Sequence, residues 1–209
     1  MSSTAERLSP TWDDYIAADE GHPGRLERLH GELYAMAGGS PAHAYIIQTV
    51  GVLLRLALRG GPCRSTSSDQ RVLLPNDDAA YPDLTVWCGE AEFRDGKTLT
   101  NPTVIVEVLS PSTEAWDRVG KLDLYLAIPT VQHVLLVEHG CWHLTLVSRR
   151  ADGTWTYASA GPGGSVNLSA IGITVSVDEV YDDIAAVGGP TRDARLPRDP
   201  IQVAAAVER

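Results

Sequence analysis

The chain contains 209 residues with a mass of 22.5 kDa, a length that suits one domain with a substantial core. Hydrophobic residues make up 44% and charged residues 21%, as in ordinary globular proteins, and no run of about 18 apolar residues offers a membrane span. The formal net charge of -10 excludes a strongly basic protein that binds DNA tightly at any sequence. Residues 1–20 are polar and acidic and lack a secretory signal, so we expect a cytoplasmic location.

The three cysteines, Cys63, Cys88 and Cys141, lie far apart in the sequence. An odd and widely spaced set is a poor framework for disulfides, and it also lacks the paired spacing of a zinc site. We therefore predict that all three are buried thiols that pack as small apolar side chains.

The first half of the chain predicts alternating helices and strands. The predicted elements are a short helix at 11–18 with Thr11 as its N-cap, a hairpin at 26–36, a helix at 42–58 and strands at 71–74 and 83–87. The strongest helical signal lies at 42–58, where apolar residues recur at steps of three and four until a glycine-proline stop. Residues 89–101 are acidic and poor in apolar side chains, which predicts a loop.

The clearest strand lies at 103–109 (TVIVEVL), where nearly every residue is apolar, as in a strand buried on both faces. Ser112 or Thr113 is the predicted cap of a helix that ends near Ala127. The remaining predicted elements are strands at 133–138, 142–147, 155–158 and 166–168 and a helix at 177–186. This order predicts an α/β or α+β fold with one mixed sheet flanked by helices. We predict one domain at 1–187 and a flexible tail at 188–209.

Two acidic residues lie in apolar surroundings, where burial of a carboxylate lowers stability. Asp83 follows a proline at the start of an apolar strand, and Glu107 is the only charged residue in strand 103–109. A buried lone carboxylate destabilises a protein unless it is paired or binds a cation. Two carboxylates on neighbouring strands are natural ligands for Mg²⁺, which polarises a phosphoryl oxygen and helps to form hydroxide. Lys121, on the following helix, could orient the water or stabilise negative charge, so the pattern favours phosphodiester hydrolysis.

Each member of this set also has a purely structural interpretation. Asp83 could cap a turn, and Glu107 could form a buried ion pair with Lys121 or with an arginine. Lys121 also has the spacing for an exposed pair with Asp117, one helical turn away. The combination of the three residues and their placement on strands is more specific than any one of them.

Three groups of residues resemble a known family. They are Pro82-Asp83, the string VIVEVLSPST at 104–113, and the residues Asp117, Lys121 and Tyr125. This pattern resembles the Uma-type restriction endonucleases, a bacterial branch of the PD-(D/E)XK nuclease superfamily. The segment at 26–36, followed by a proline and His43, is similar to the N-terminal hairpin and the histidine-led helix of that family. The resemblance covers roughly residues 11–153.

The resemblance implies a restriction-endonuclease-like core, a mixed sheet with helices on both sides, with an added N-terminal hairpin and C-terminal antiparallel strands. It also implies a metal site formed by Asp83 and Glu107, with Mg²⁺, or Mn²⁺ in its place. The lysine of the superfamily stands two residues after the glutamate, where this chain has Leu109, and Lys121 is expected to replace it. Glu32 is the candidate for an additional acid, and Glu27, which could instead face solvent, is the competing choice.

Two hypotheses for the function follow. The first is a Mg²⁺-dependent endonuclease that hydrolyses DNA and could act as a homodimer. Its candidate catalytic residues are Glu32, Asp83, Glu107 and Lys121. The role of His43 stays open between packing and catalysis. The second hypothesis is a nuclease-fold domain without catalysis that acts in binding or assembly. The acidic charge predicts only weak or local contact with DNA, for instance through Arg55, Arg59, Arg64 and Arg71.

Overall fold

The computed structural model describes residues 10–36, 38–109 and 120–195. The α-helices in these ranges are α1 (Trp12–Gly21), α2 (Pro41–Ala57), α3 (Leu122–Leu126) and α4 (Val177–Val180). The strands in the first half are β1 (Leu26–Leu29), β2 (Glu32–Ala35), β3 (Cys63–Ser67), β4 (Val72–Leu73), β5 (Ala79–Ala80), β6 (Leu84–Cys88), β7 (Phe93–Arg94) and β8 (Thr98–Leu99). The later strands are β9 (Val104–Leu109), β10 (His133–Glu138), β11 (Leu144–Arg149), β12 (Trp155–Ala160), β13 (Ser165–Leu168) and β14 (Ile173–Ser176).

The strands form two six-stranded mixed sheets and one separate hairpin. The first sheet has the order β2-β1-β5-β4-β8-β7, the second has the order β12-β11-β10-β9-β6-β3, and β13 pairs with β14. In the second sheet β9 and β10 are parallel, while β6 runs antiparallel to β9. The mixed α+β fold class is therefore confirmed, although the structure has two large sheets where the sequence predicted one.

The strand β9 is the centre of the core, as its composition predicts. All six of its residues are buried. On one face, Val104, Val106 and Val108 pack in a cluster with the buried side of α2, which includes Ile46, Val50 and Leu54. On the other face, Ile105 and Leu109 belong to a cluster with Leu29 of β1 and Leu122 and Tyr125 of α3. Because β9 is covered on both sides, the side chain of its one glutamate is enclosed by protein.

Two of the predicted helices are present in the structure. The predicted helix at 42–58 is α2, and Ser40 caps its N-terminus by accepting a hydrogen bond from the backbone N–H of His43. Thr11 caps α1 in a full capping box with Asp14. The predicted start of the helix after β9, together with Ser112, Thr113 and Asp117, lies outside the described residues. No helix within the described ranges is long and apolar enough to cross a membrane.

Short elements differ from the predictions. The predicted loop at 89–101 contains β7 and β8, which pair with each other, while β8 also pairs with β4. Each of these strands has two residues, which is too short for a periodic pattern in the sequence. The predicted helix at 177–186 is α4 followed by a 3₁₀ turn at Ile184–Val187. The first part of the predicted tail contacts the rest of the chain, because Trp142 Nε1 donates to Pro190 O and Arg192 pairs with Asp178.

The prediction of three thiols is wrong for Cys63 and Cys88. These residues lie directly opposite each other on β3 and β6, and a disulfide joins them. Their separation of 25 residues hides this pairing in the sequence, because only the strand register brings the two side chains together. Cys141 is buried, as expected.

Candidate active site

Asp83 and Glu107 lie side by side at one end of the second sheet. Leu84 of β6 pairs with Val106 of β9, so the residues next to them in the antiparallel ladder are Asp83 and Glu107. The backbone N–H of Val108 donates to Asp83 Oδ2 over 2.7 Å, and the N–H of Asp83 lies 3.4 Å from Glu107 Oε2. Their exposed fractions are only 8% and 6%. The two carboxylates are therefore held together in a buried setting, as the strand pattern predicted.

Lys121, the N-cap residue of α3, contacts this pair. Its Nζ atom lies 2.8 Å from Glu27 Oε2 and 3.9 Å from Glu107 Oε1, and the lysine is itself buried. Tyr125, one helical turn further on, donates its hydroxyl to Glu107 Oε1 over 2.5 Å. Helix α3 and its N-cap residue thus bring an ammonium and a phenol to the same glutamate, at the spacing of four residues that places side chains on one helix face.

Glu27 is the additional acid that contacts the lysine. It lies on β1, is only 4% exposed, and its Oε1 atom also accepts a hydrogen bond from the backbone N–H of Tyr81. The expectation that it could face solvent is therefore corrected. The sequence contains the signal for this burial. Glu27 is two residues before the core residue Leu29, and side chains two positions apart lie on the same face of a strand.

Glu32, the preferred candidate for the additional acid, occupies an exposed position on β2. Its carboxylate accepts a hydrogen bond from the hydroxyl of Tyr34. A catalytic role for Glu32 stays a prediction, and the geometry favours Glu27 because that residue lies against Lys121. The position is a poor one for a buried metal ligand because solvent competes for an exposed carboxylate.

The segment before Asp83 is fixed by a second buried network. The hydroxyl of Tyr81 donates to Asp19 Oδ2 over 2.5 Å, and Arg71 pairs with the same oxygen at 2.8 Å. Burial, together with the hydrogen bond to Asp19, raises the pKa of Tyr81 to about 12, so the phenol stays protonated at neutral pH. This network ties α1 to the segment that carries both the N–H bound by Glu27 and the carboxylate of Asp83.

His43 reaches the acid pair from the N-terminus of α2. Its Nε2 atom lies 3.0 Å from Val108 O and 3.6 Å from Asp83 Oδ2. The cap residue of the same helix, Ser40, has its hydroxyl 2.8 Å from His139 Nε2. Burial, with a smaller contribution from His43, lowers the pKa of His139. Of the two roles left open for His43, contact with the site is the one that the geometry favours.

The oxygen donors of the site match the preferences of Mg²⁺. This ion usually takes one or two protein carboxylates and keeps several waters. Within residues 10–36, 38–109 and 120–195, no group of three or more histidine, cysteine, aspartate or glutamate side chains is arranged to hold a metal. The protein side of a metal site here would consist of the two carboxylates of Asp83 and Glu107, which fits a partly hydrated Mg²⁺ and does not fit a fully protein-ligated ion.

Comparison with known proteins settles the family. A family model described as "Uma2: Putative restriction endonuclease" matches residues 12–178. The chain belongs to this Uma2 family. The relationship inferred from the string at 104–113 is thus confirmed, and the match includes Glu27, Asp83, Glu107 and Lys121 within its limits.

Curated relatives of this Uma2 protein occur in a cyanobacterium. The uncharacterized protein slr1290 of Synechocystis is 34% identical over 185 residues, which cover 88% of this chain and 96% of the relative. A second uncharacterized protein of the same organism, sll1609, is 29% identical over 145 residues, covering 68% of this chain and 82% of that protein. The first of these relatives is similar to this chain over nearly its whole length.

A solved structure shares the fold of this Uma2 protein. It is described as the crystal structure of a putative nuclease belonging to DUF820 from Anabaena variabilis. The TM-score is 0.63 at 14% sequence identity, and the match covers 83% of this chain and 98% of the other. At this identity the comparison shows the fold alone. In this chain the fold places Asp83, the residue before β6, beside Glu107 of β9.

Proposed function

We propose that this Uma2 family member is a Mg²⁺-dependent endonuclease that hydrolyses phosphodiester bonds in DNA. The observation that carries the proposal is the buried contact of Lys121 Nζ with Glu27 and Glu107 beside the carboxylate of Asp83. In metal-assisted phosphodiester hydrolysis two carboxylates can hold the metal ion, and an ammonium can stabilise the negative charge that develops. The family description, restriction endonuclease, supports the same class of reaction.

Asp83 and Glu107 are the residues that would hold the ion. Both present carboxylate oxygens at the same end of β6 and β9, where Asp83 Oδ2 accepts from the N–H of Val108 and Glu107 Oε2 lies 3.4 Å from the N–H of Asp83. Bound Mg²⁺ supplies a Lewis acid for a phosphoryl oxygen and lowers the pKa of a coordinated water. The buried setting strengthens attraction between the carboxylates and a cation, because the effective dielectric constant is lower than in water.

The other side chains act on charge and orientation. The ammonium of Lys121 would donate hydrogen bonds to the attacking water or to a phosphate oxygen as negative charge develops. Glu27 positions that ammonium through its 2.8 Å contact, and Tyr125 orients Glu107 through its hydroxyl. The superfamily position of the lysine is occupied by Leu109, which is buried in the core, so the same charge is supplied from α3.

The test is cleavage of plasmid and of single-stranded DNA with Mg²⁺ and with a chelator. The variants Asp83→Asn and Glu107→Gln keep the size of each side chain and remove its charge. We expect both to lose more activity than the roughly 10–100-fold typical of residues that only support metal ligands. Glu90→Gln, which removes the charge of an exposed glutamate, is the matched control and should keep wild-type activity.

Equal cleavage by the wild type, both site variants and the control would refute the proposal, because the activity would then come from elsewhere. No cleavage by any of them, with tight binding of Mg²⁺ also absent, would favour the second hypothesis, a nuclease-fold domain that acts in binding or assembly. Metal affinity is measured by calorimetry on the same four proteins, so that loss of the ion and loss of chemistry are distinguished.

A further inference from the structure

Three arginines converge at the far end of α2 from the candidate active site. Arg55, Arg59 and Arg64 line one cavity of about 260 Å³, together with Cys63 and other residues at the start of β3. All three arginines are exposed, and the lining includes no acidic side chain. The sequence suggested a basic patch of four arginines, and the structure brings three of them together.

The fourth arginine of that set, Arg71, is buried in its ion pair with Asp19. Other arginines are also matched with carboxylates, in the pairs Arg25–Asp69, Arg28–Asp78, Arg94–Asp77 and Arg192–Asp178. In contrast, no carboxylate of the described ranges forms an ion pair with Arg55, Arg59 or Arg64. Among the residues that the structure describes, Arg64 donates to the backbone oxygens of Gly61 and Cys63, at 2.7 and 2.8 Å.

This concentration of positive charge is unusual for the chain. The sequence has 27 acidic and 17 basic residues, so a random arrangement would seldom place three guanidinium groups together without a carboxylate. Like charges that share a cavity repel each other, and an anion that binds between them removes this repulsion. Guanidinium groups bind carboxylate and phosphate through paired N–H donors, and a phosphate offers three arginines more acceptor oxygens than a carboxylate does.

A second groove adjoins this cavity and follows α2 from Arg55 to Ala44. The groove has a volume of about 460 Å³, runs between α2 and β3, and is lined by Arg55 and by Leu84, the residue after Asp83. Ser65 and Ser67 of the edge strand β3 add hydroxyl groups along it. From His43 to Arg55 the helix advances about 18 Å at 1.5 Å per residue. This length corresponds to about five base pairs at 3.4 Å each.

We infer that Arg55, Arg59 and Arg64 form a phosphate-binding site for the backbone of a nucleic acid whose reacting bond lies at Asp83 and Glu107. The inference rests on the proposed function, since that function supplies the position of the reacting bond. It explains how a chain of charge -10 holds a polyanion, namely through one local site and not through a basic face. The same chemistry would accept the phosphates of a free nucleotide, so the experiment separates the two sources.

The experiment measures the binding of a labelled DNA duplex, longer than two helical turns, by fluorescence anisotropy over a range of salt concentrations. A chelator is present, so no metal-dependent cleavage takes place and binding is read independently of the proposed reaction. The test variant is Arg55→Gln/Arg59→Gln, and the matched control is Arg150→Gln/Arg195→Gln, which removes two exposed arginines that do not line the cavity. Circular dichroism and thermal unfolding verify that each variant is folded.

We expect weaker binding by the test variant and a flatter dependence of log K on log salt. The slope should decrease in magnitude by about 1.8, since each phosphate contact contributes about 0.9. The control should match the wild type. Equal slopes for the test variant and the wild type would overturn the inference, and so would equal losses in the test and control variants.

A second arm measures the binding of ATP to the same proteins. Loss of ATP binding in the test variant, with DNA binding unchanged, would assign the site to a free nucleotide and overturn the nucleic-acid inference. The cleavage assay with Asp83→Asn is run in parallel. If the arginine variant loses DNA binding while the wild type shows no cleavage with Mg²⁺, the phosphate site stands and the proposed nuclease function fails.

Discussion

At the scale of single residues, the stability of the site depends on the ion pair between Lys121 and Glu27. Both side chains are buried, and removal of one partner leaves the other charge without compensation in a poorly solvated setting. We predict that Lys121→Met lowers the free energy of unfolding by about 3–5 kcal/mol. The measurement is urea denaturation followed by circular dichroism at neutral pH.

Two further variants show whether this loss comes from the pair. In Glu27→Gln/Lys121→Met both charges are absent, so the double variant should regain much of the stability that the single variant loses. Lys97→Met removes an exposed lysine that pairs with Glu20, and it should cost no more than about 1 kcal/mol. A double variant as unstable as the single one would show that Lys121 stabilises the fold by other contacts.

At the scale of elements, His133 joins the second sheet to the hairpin of β13 and β14. It lies on β10, and its Nδ1 atom is 2.9 Å from Ser148 Oγ on β11. Its Nε2 atom accepts a hydrogen bond from the backbone N–H of Ala170, in the turn between the two hairpin strands. This nitrogen can accept only in the neutral imidazole, so protonation would break the connection.

The pH dependence of stability follows from this contact. Burial lowers the pKa of His133, so the folded state favours the neutral form more than the unfolded state does. The contribution to stability is therefore complete above the unfolded pKa of about 6.5 and is lost as the pH falls through the folded pKa. We predict a decrease in the free energy of unfolding between neutral and mildly acidic pH that is smaller in His133→Gln, measured by urea denaturation at each pH.

An exposed histidine provides the control for this prediction. His30 lies in the turn between β1 and β2 with a positive φ that asparagine also adopts, and His30→Asn should keep the pH dependence of the wild type. If His133→Gln and His30→Asn change stability with pH in the same way as the wild type, His133 does not titrate in the unfolding reaction.

The elements also show which parts of the structure the sequence could predict. The strand β9 and the helix α2 have long apolar patterns whose period matches their burial, and this made the positions of Glu107 and His43 predictable. The strands β7 and β8 contain two residues each, too few for a period to develop. The contact of Glu27 with Lys121 joins residues 94 positions apart. It depends on how the first hairpin lies over α3, which no local pattern contains.

At the scale of the whole molecule, the disulfide between Cys63 and Cys88 links β3 and β6 close to the three arginines. It closes a loop of 25 residues that contains β4, β5 and Asp83, so reduction gives the unfolded chain more freedom. Loops of this length correspond to about 2–4 kcal/mol of stability. We predict that Cys63→Ser/Cys88→Ser lowers the free energy of unfolding by this amount, measured by urea denaturation without reductant.

This prediction requires that Cys63 and Cys88 form the disulfide in the purified protein. Peptide mapping of the unreduced protein should recover Cys63 and Cys88 in one linked fragment, and a reductant should lower the stability of the wild type to that of the double variant. The reductant should leave the double variant itself unchanged, because the cross-link is already absent. If the linked fragment is found and reduction leaves stability unchanged, the strand pairs between β3 and β6 hold this edge of the sheet without the cross-link. Activity is measured on the same samples, because the loop closed by the disulfide contains Asp83. Unchanged activity after reduction would show that the position of Asp83 beside β9 does not depend on the disulfide.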